Sequence, residues 1–353
     1  MKPEFSMHSL GRAALRVVFA GLVCSVAFAL SAASFAQTTM AASGKSKLKP
    51  HVVTKFEYDS RHQMFPESIT AGPDGYLYAS VTDLEVTDGV QHDLCYIARF
   101  KPDGERQEKL AFPPNICSTG NLLGVAFDEE DRLYVAVADW PPGPGPGVYR
   151  VEHNGSPTRV LSLPDGSFPN GLAFYDGDMY VSDSFQATIW KKGPQGDAVV
   201  WLQDWALFGW PGPNGIAFYR HSLYIAVISS GSIVRVPLLH DGSPGTYEYV
   251  AGPDSGLIDI DGIAFDVTGK LWFTVNYGSD GSGGKLGTLD EGGKPIFLAD
   301  SPGWLDYPTM VVFGTSYRDR DTLYLTNGGL NGGKPNVLSF DVDVAGLPLP
   351  AEH

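Results

Sequence analysis

Basic residues are scarce in this chain. Its 353 residues include 25 Lys and Arg against 40 Asp and Glu, for a formal charge of −15 at pH 7. An acidic chain without an extended Lys/Arg block repels phosphate backbones, so no nucleic acid partner is expected. Cysteine is rarer still, with three in all, and their spacing fits no metal motif. Helical periodicity of useful length is missing after the first fifty residues, which excludes bundles and α/β folds. There is no Gly-x-Ser-x-Gly elbow, P-loop, Gly-x-Gly-x-x-Gly or His-Glu-x-x-His, so the chemistries built on those motifs find no support. The one long apolar run, Val17 to Ser31, is too short to span a bilayer.

That run reads as part of an export signal. Lys2, Arg12 and Arg16 precede it, and Ser34-Phe35-Ala36 supplies small residues at the −3 and −1 cleavage positions. The expected organisation is a signal peptide over 1–36, a small polar linker over 37–50, a folded domain over 51–345 and a tail over 346–353. Cleavage after Ala36 implies a secreted or periplasmic protein with no membrane association of its own. Cys95 and Cys117 remain after cleavage, and an oxidising compartment permits a disulfide between them.

Internal repetition is the strongest signal in the remainder. Six segments share one pattern: Glu67-Ser68-Ile69-Thr70-Ala71, Leu123-Gly124-Val125-Ala126-Phe127, Asn170-Gly171-Leu172-Ala173-Phe174, Asn214-Gly215-Ile216-Ala217-Phe218, Asp261-Gly262-Ile263-Ala264-Phe265 and Thr309-Met310-Val311-Val312-Phe313. Their starts lie 56, 47, 44, 47 and 48 residues apart, a period that suits a four-stranded propeller blade. A second strand follows each, as in Leu77-Tyr78-Ala79-Ser80 and Leu133-Tyr134-Val135-Ala136, with Gly, Asp and Pro in the turns between. The sixth repeat ends at its third strand, and the spare segment Val52 to Tyr58 is positioned in sequence to complete it. The expectation is one all-β domain, a six-bladed β-propeller closed by its N-terminal strand.

In such a ring the innermost strands converge on a central channel. The first residues of the six repeats are Glu67, Leu123, Asn170, Asn214, Asp261 and Thr309, and four of them are two carboxylates and two carboxamides. One reading is a site for a hard divalent cation, since calcium takes six to eight oxygen ligands. The other is ordinary turn chemistry, since Asn-Gly and Asp-Gly commonly open strands. The recurrence of Pro-Asn-Gly in register at Pro169 and Pro213, with Glu67 completing the set, favours the first.

Phe65-Pro66-Glu67-Ser68, the two Pro-Asn-Gly-Leu/Ile-Ala-Phe segments and Asp261-Gly262-Ile263-Ala264-Phe265 together resemble the gluconolactonase, regucalcin (senescence marker protein) and luciferin-regenerating-enzyme family. The pattern is more distantly similar to paraoxonases and diisopropylfluorophosphatase. The resemblance implies a catalytic divalent metal, calcium first and zinc, manganese or magnesium as other occupants, held by Glu67, Asn170, Asn214 and Asp261. It also implies hydrolysis of a small-molecule lactone or ester, with the metal-bound Asp261 as general base or nucleophile. The channel histidines of the distant relatives have no counterpart, because Leu123 and Thr309-Met310 stand at those places.

Asp139, Asp183, Asn276 and Asn327 follow second strands and are expected at the channel mouth or as solvated strand ends. Trp140, Phe185, Trp210 and Tyr277 could form an apolar wall, and Trp201 to Trp210 a plug or a lid. Two readings of other classes stay open: a non-catalytic binding propeller, and a metal-free lyase of the strictosidine-synthase type.

Overall fold

The computed structural model describes residues 48–349, apart from 60–61, 88–89, 106, 118–119, 140–144, 279–280, 282, 301–303 and 331–333. The expected signal segment lies outside the described residues. Strand β1 (His51–Lys55) comes first. Blade 1 follows as β2 (Met64–Ala71), β3 (Leu77–Thr87), β4 (Val90–Phe100) and β5 (Glu108–Ala111). After a short helix, α1 (Pro114–Cys117), blade 2 is β6 (Gly120–Phe127), β7 (Leu133–Asp139), β8 (Gly147–Val151) and β9 (Pro157–Ser162). Blade 3 is β10 (Pro169–Tyr175), β11 (Asp178–Asp183), β12 (Thr188–Lys192) and β13 (Val199–Gln203). Blade 4 is β14 (Pro213–Tyr219), β15 (Ser222–Val227), β16 (Ser232–Pro237) and β17 (Glu248–Ala251). Blade 5 is β18 (Ile260–Phe265), β19 (Leu271–Val275), β20 (Lys285–Leu289) and β21 (Pro295–Asp300). Blade 6 is β22 (Pro308–Phe313), β23 (Thr322–Asn327) and β24 (Asn336–Asp341), with β1 as its outer strand.

The fold is a six-bladed β-propeller, nearly all β. Each blade is an antiparallel four-stranded sheet, and β1 pairs with β24 in the register His51 to Ser339 and Val52 to Leu338. This pairing covers what would otherwise be the open edge of the last blade. The ring of innermost strands closes where β22 meets β2. Among the described residues, no helix is long and apolar enough to cross a membrane.

The cores lie between blades. Tyr180, Ile189 and Trp201 of blade 3 pack against Ile216, Phe218 and Leu223 of blade 4. Tyr134 and Val148 of blade 2 pack against Phe174 and Val181 of blade 3. The same holds around the ring, ending with Ile69 and Phe100 of blade 1 against Val312 and Tyr324 of blade 6. Fully burying one such aliphatic or aromatic side chain contributes about 1.5–3 kcal/mol. The apolar side chains of each blade thus serve two neighbours, one on each face of the sheet.

Cys95 on β4 and Cys117 in α1 form a disulfide, with Cα atoms 5.2 Å apart. It ties blade 1 to the segment that enters blade 2.

Candidate metal centre

In all six blades the pairing between innermost and second strand slips by one residue at the same place. The shifts fall between Pro66 and Ile69, Leu122 and Val125, Pro169 and Leu172, Pro213 and Ile216, Ile260 and Ile263, and Pro308 and Val311. Each is a β-bulge, which bends the strand and re-aims a side chain. The residues inside the bulges are the first two of each repeat.

The second residue of the pair explains its own identity. A Cβ on Gly171 would stand 2.4 Å from the Asn214 carbonyl oxygen of the next blade, and one on Gly215 2.3 Å from that of Asp261. Gly124 and Gly262 are crowded in the same way, against the carbonyl oxygens of Asn170 and Thr309. None of the four adopts a positive φ. The turn-chemistry reading of Asn-Gly and Asp-Gly is thus corrected: these pairs lie inside strands, and glycine is there for close approach of two blades.

Opposite the bulges, on the second strands, stand Ser80, Ser182, Thr274 and Thr326. Each hydroxyl accepts a bulged N–H, from Ser68 at 3.0 Å, Gly171 at 2.7 Å, Gly262 at 3.0 Å and Met310 at 3.0 Å. Ser182, Thr274 and Thr326 also donate to a carbonyl of the next blade, at Asn214 (2.6 Å), Thr309 (2.7 Å) and Glu67 (3.3 Å). Blades 2 and 4 have Ala136 and Ala226 at this position. The four second strands read Leu-Tyr-Ala-Ser, Met-Tyr-Val-Ser, Leu-Trp-Phe-Thr and Leu-Tyr-Leu-Thr at this place, which passes as ordinary strand composition in the sequence.

The bulges bring Glu67, Asn170, Asn214 and Asp261 together around one central cavity, whose other walls include Ser68, Val125, Leu172, Ile216 and Met310. The free volume is about 20 Å³, room for one ion or one ordered water. The other two first-of-repeat residues do not reach it. Leu123 packs with Ala136, Ala138 and Phe168, and the Thr309 hydroxyl pairs with that of Thr326 at 2.8 Å.

The ring has an electrostatic imbalance that a cation would relieve. Burial pushes the Glu67 carboxyl up to about 7 from an ordinary 4.5. Burial raises Asp261 well above its usual value too, with the charge of Glu67 adding to the shift and the Asn276 hydrogen bond opposing it. No basic side chain lines the cavity. Two buried carboxylates facing each other without a counter-charge are costly in either protonation state. Four oxygen donors, two of them anionic, fit a hard divalent ion and balance its charge. Among the described residues, no group of three or more His, Cys, Asp and Glu is arranged to hold a metal, so a nitrogen- or sulfur-rich centre has no candidate there.

Two residues behind the ring orient its members. Asn276 Nδ2 donates to Asp261 Oδ2 at 2.7 Å and to the Pro308 carbonyl at 2.9 Å. Asn170 Nδ2 donates to Ser184 Oγ at 3.4 Å, and that hydroxyl donates to the Pro213 carbonyl at 2.7 Å. With its amide hydrogens turned to Ser184, Asn170 has its carbonyl oxygen free for the cavity.

The expected mouth residues divide. Asn276 is buried and reaches Asp261. Asp183 is fully buried and accepts from the backbone N–H groups of Phe168, Phe185 and Gln186 and from Trp190 Nε1, so it is neither a solvated strand end nor a substrate contact. Asn327 is likewise buried, accepting from Asp306 N and donating to the Trp304 carbonyl. The side chain of Asp139 and all of Trp140 lie outside the described residues. Within Trp201 to Trp210, Trp201 and Leu207 pack into the core between blades 3 and 4, while Trp205, Phe208 and Trp210 are exposed.

Comparison with solved structures fits this architecture. Regucalcin, a calcium-binding protein from Agrobacterium tumefaciens, superposes over 87% of this chain and 98% of its own, with a TM-score of 0.60 and 16% identity. The likeness is one of fold. The family read from the sequence motifs thus has a member among the structural neighbours. Other propellers superpose too. A PQQ-bound aldose sugar dehydrogenase from Streptomyces coelicolor covers 85% of this chain and 99% of its own (TM-score 0.55, 16% identity). A catalytically inactive virginiamycin B lyase from Staphylococcus aureus, with quinupristin, covers 82% and 99% (TM-score 0.51, 15% identity). No protein-family model matches the chain, and no curated protein does.

Proposed function

We propose that the chain is an exported, cation-dependent hydrolase of a small lactone or related ester. The observation that carries this reading is the convergence of Glu67, Asn170, Asn214 and Asp261 on one cavity that lacks any basic side chain. Regucalcin, which shares the fold, is a calcium-binding protein, and calcium is the cation we favour; magnesium, manganese and zinc are the alternatives. When bound, the cation supplies a Lewis acid that polarises a carbonyl oxygen.

The chain's own residues do the rest. Asn276 occupies Asp261 Oδ2 and leaves the other oxygen to the cavity, placed to take a proton from water. The water oxygen adds to the carbonyl carbon, the ring C–O bond breaks, and the proton passes to the departing alkoxide. One lactone and one water give one hydroxy acid. Asn170 and Asn214 present carboxamides to the same cavity, without a proton to exchange.

Calorimetry with calcium on chelator-treated protein tests this, with Asn214→Ala and Asp261→Ala beside it. One site, lost in both variants, followed by cation-dependent turnover on a panel of lactones and esters, is the expected result. No binding in the wild type would leave a non-catalytic binding propeller as the better reading.

A further inference from the structure

The second residue of each repeat is small in five blades and large in one. Ser68, Gly124, Gly171, Gly215 and Gly262 hold this place in blades 1 to 5, and Met310 holds it in blade 6. Each of the four glycines is pressed against the backbone of the next blade, which leaves no room for a Cβ. Met310 sits in the corresponding bulge, between Pro308 and Val311, and carries a long side chain. That side chain lies over Gly262 of blade 5, where an added Cβ would stand 2.7 Å from the Met310 sulfur.

Blade 6 stands between blade 5, which supplies Asp261, and blade 1, which supplies Glu67. Its own first residue, Thr309, is turned away, with its hydroxyl on that of Thr326. Among the described residues, Met310 is what blade 6 presents to the cavity, and it fills the arc between the two carboxylates. It is also held firmly. The side chain packs against the core between blades 6 and 1, and the backbone N–H donates to Thr326 Oγ1 at 3.0 Å.

A thioether in this position does what glycine cannot. It takes up the room of water and is a poor ligand for a hard ion. The apolar surroundings of a metal site control how solvent reaches it. Cations differ in how much that matters. Magnesium dehydrates reluctantly and keeps several waters, whereas calcium accepts a flexible shell of six to eight oxygens. The free volume of about 20 Å³ takes a cation that has given up most of its water, and a small ion that retains its hydration needs more.

We propose that Met310 sets the cation preference of the ring: its side chain keeps water out of the arc between Asp261 and Glu67 and so favours calcium over magnesium. The inference rests on the cation reading above and names the residue that chooses among the candidate ions. The side chain acts through its bulk, with the sulfur as filling and not as a ligand.

Calorimetry of chelator-treated protein with calcium and with magnesium gives the ratio of the two affinities. The wild type should bind calcium the more tightly. Met310→Ala, which opens room for about one or two waters, should lower the ratio by about tenfold, within the range that the surroundings of a metal site command. Met310→Gly, the residue that four other blades carry here, gives the same comparison should alanine disturb the bulge. Met310→Leu keeps the bulk without the sulfur and should hold the ratio within about twofold of the wild type. A ratio unmoved in both Met310→Ala and Met310→Gly, or a wild-type preference for magnesium, would overturn the inference and leave the cation site standing. A fall in Met310→Leu as large as in Met310→Ala would overturn it as well, by assigning the preference to the sulfur. Binding of neither ion by the wild type would remove the cation reading itself, and this inference with it.

Discussion

The side-chain amide of Asn276 donates one hydrogen to Asp261 Oδ2 and the other to the carbonyl of Pro308 in the next blade. It fixes the carboxylate against the blade interface and fills one of its two oxygens. Groups that hold a metal ligand in this way are commonly worth about ten- to a hundredfold in affinity. Asn276→Ala should weaken calcium binding by that range while the far-UV signature of the fold is retained. Undiminished affinity would show that the bulge alone positions Asp261.

Gly171 and Gly252 make a matched pair. An added Cβ at Gly171 meets the Asn214 carbonyl at 2.4 Å, whereas at Gly252 it meets nothing within 4 Å and φ is not positive. Gly171→Ala should cost about 1–3 kcal/mol by forcing blades 3 and 4 apart. Gly252→Ala should be neutral or stabilise by about 0.4–1 kcal/mol through the unfolded chain. Denaturant melts of the two variants give the comparison directly, and equal stabilities would remove the close-approach explanation of the Asn-Gly pairs.

The blades and their closure were legible because a repeat shows itself at every turn of its period. The spare strand before Phe65 and the missing strand after Phe340 were two halves of one observation. That Glu67, Asn170, Asn214 and Asp261 share one place could be read because each heads its repeat. The role of the glycine beside them could not, since Asn-Gly in isolation looks the same in a hairpin turn and in a bulge pressed on a neighbouring blade. Asp183 and Asn327 were misjudged for a related reason: the end of a strand does not reveal whether loop N–H groups will fold over it. Ser182 and Thr274 left no mark either, because a hydroxyl in a strand is unremarkable until the next blade's carbonyl stands beside it.

Protons should leave when the cation arrives. Glu67 titrates near 7 in the cation-free fold, above its ordinary 4.5, so part of the population is protonated at pH 6–7. A group raised in this way favours the fold most below its unfolded value, and that contribution is lost as pH rises through about 7. Chelator-treated protein should therefore lose thermal stability between about pH 4.5 and 7 from this group, and added calcium should reverse the loss. Calorimetry in buffers of different ionisation enthalpy should register proton release near pH 6.5, reduced in Glu67→Gln because only the raised Asp261 carboxyl is then left to give up a proton. A binding heat independent of buffer would contradict it.

The bridge between Cys95 and Cys117 closes a loop of 22 residues, for which chain entropy predicts about 3 kcal/mol. Denatured protein should titrate with no free thiol once the leader is removed. Reduction, or the pair Cys95→Ala and Cys117→Ala, should lower the denaturant midpoint without abolishing the fold. Two reactive thiols in the purified protein would show that the bridge does not form.

The pairing of β1 with β24 joins the first and last of the described strands, whereas every other pairing among them joins strands consecutive in sequence. Five blades can form from consecutive strands, through local contacts that close early. The sixth waits for the last strand, and until then the earliest strand has no partner. Glu67 waits as well, because its backbone carbonyl accepts from Thr326 in the final blade. Construction of the molecule thus has a clock: its framework accumulates blade by blade, and the cavity at its centre becomes complete only when the last blade reaches the first.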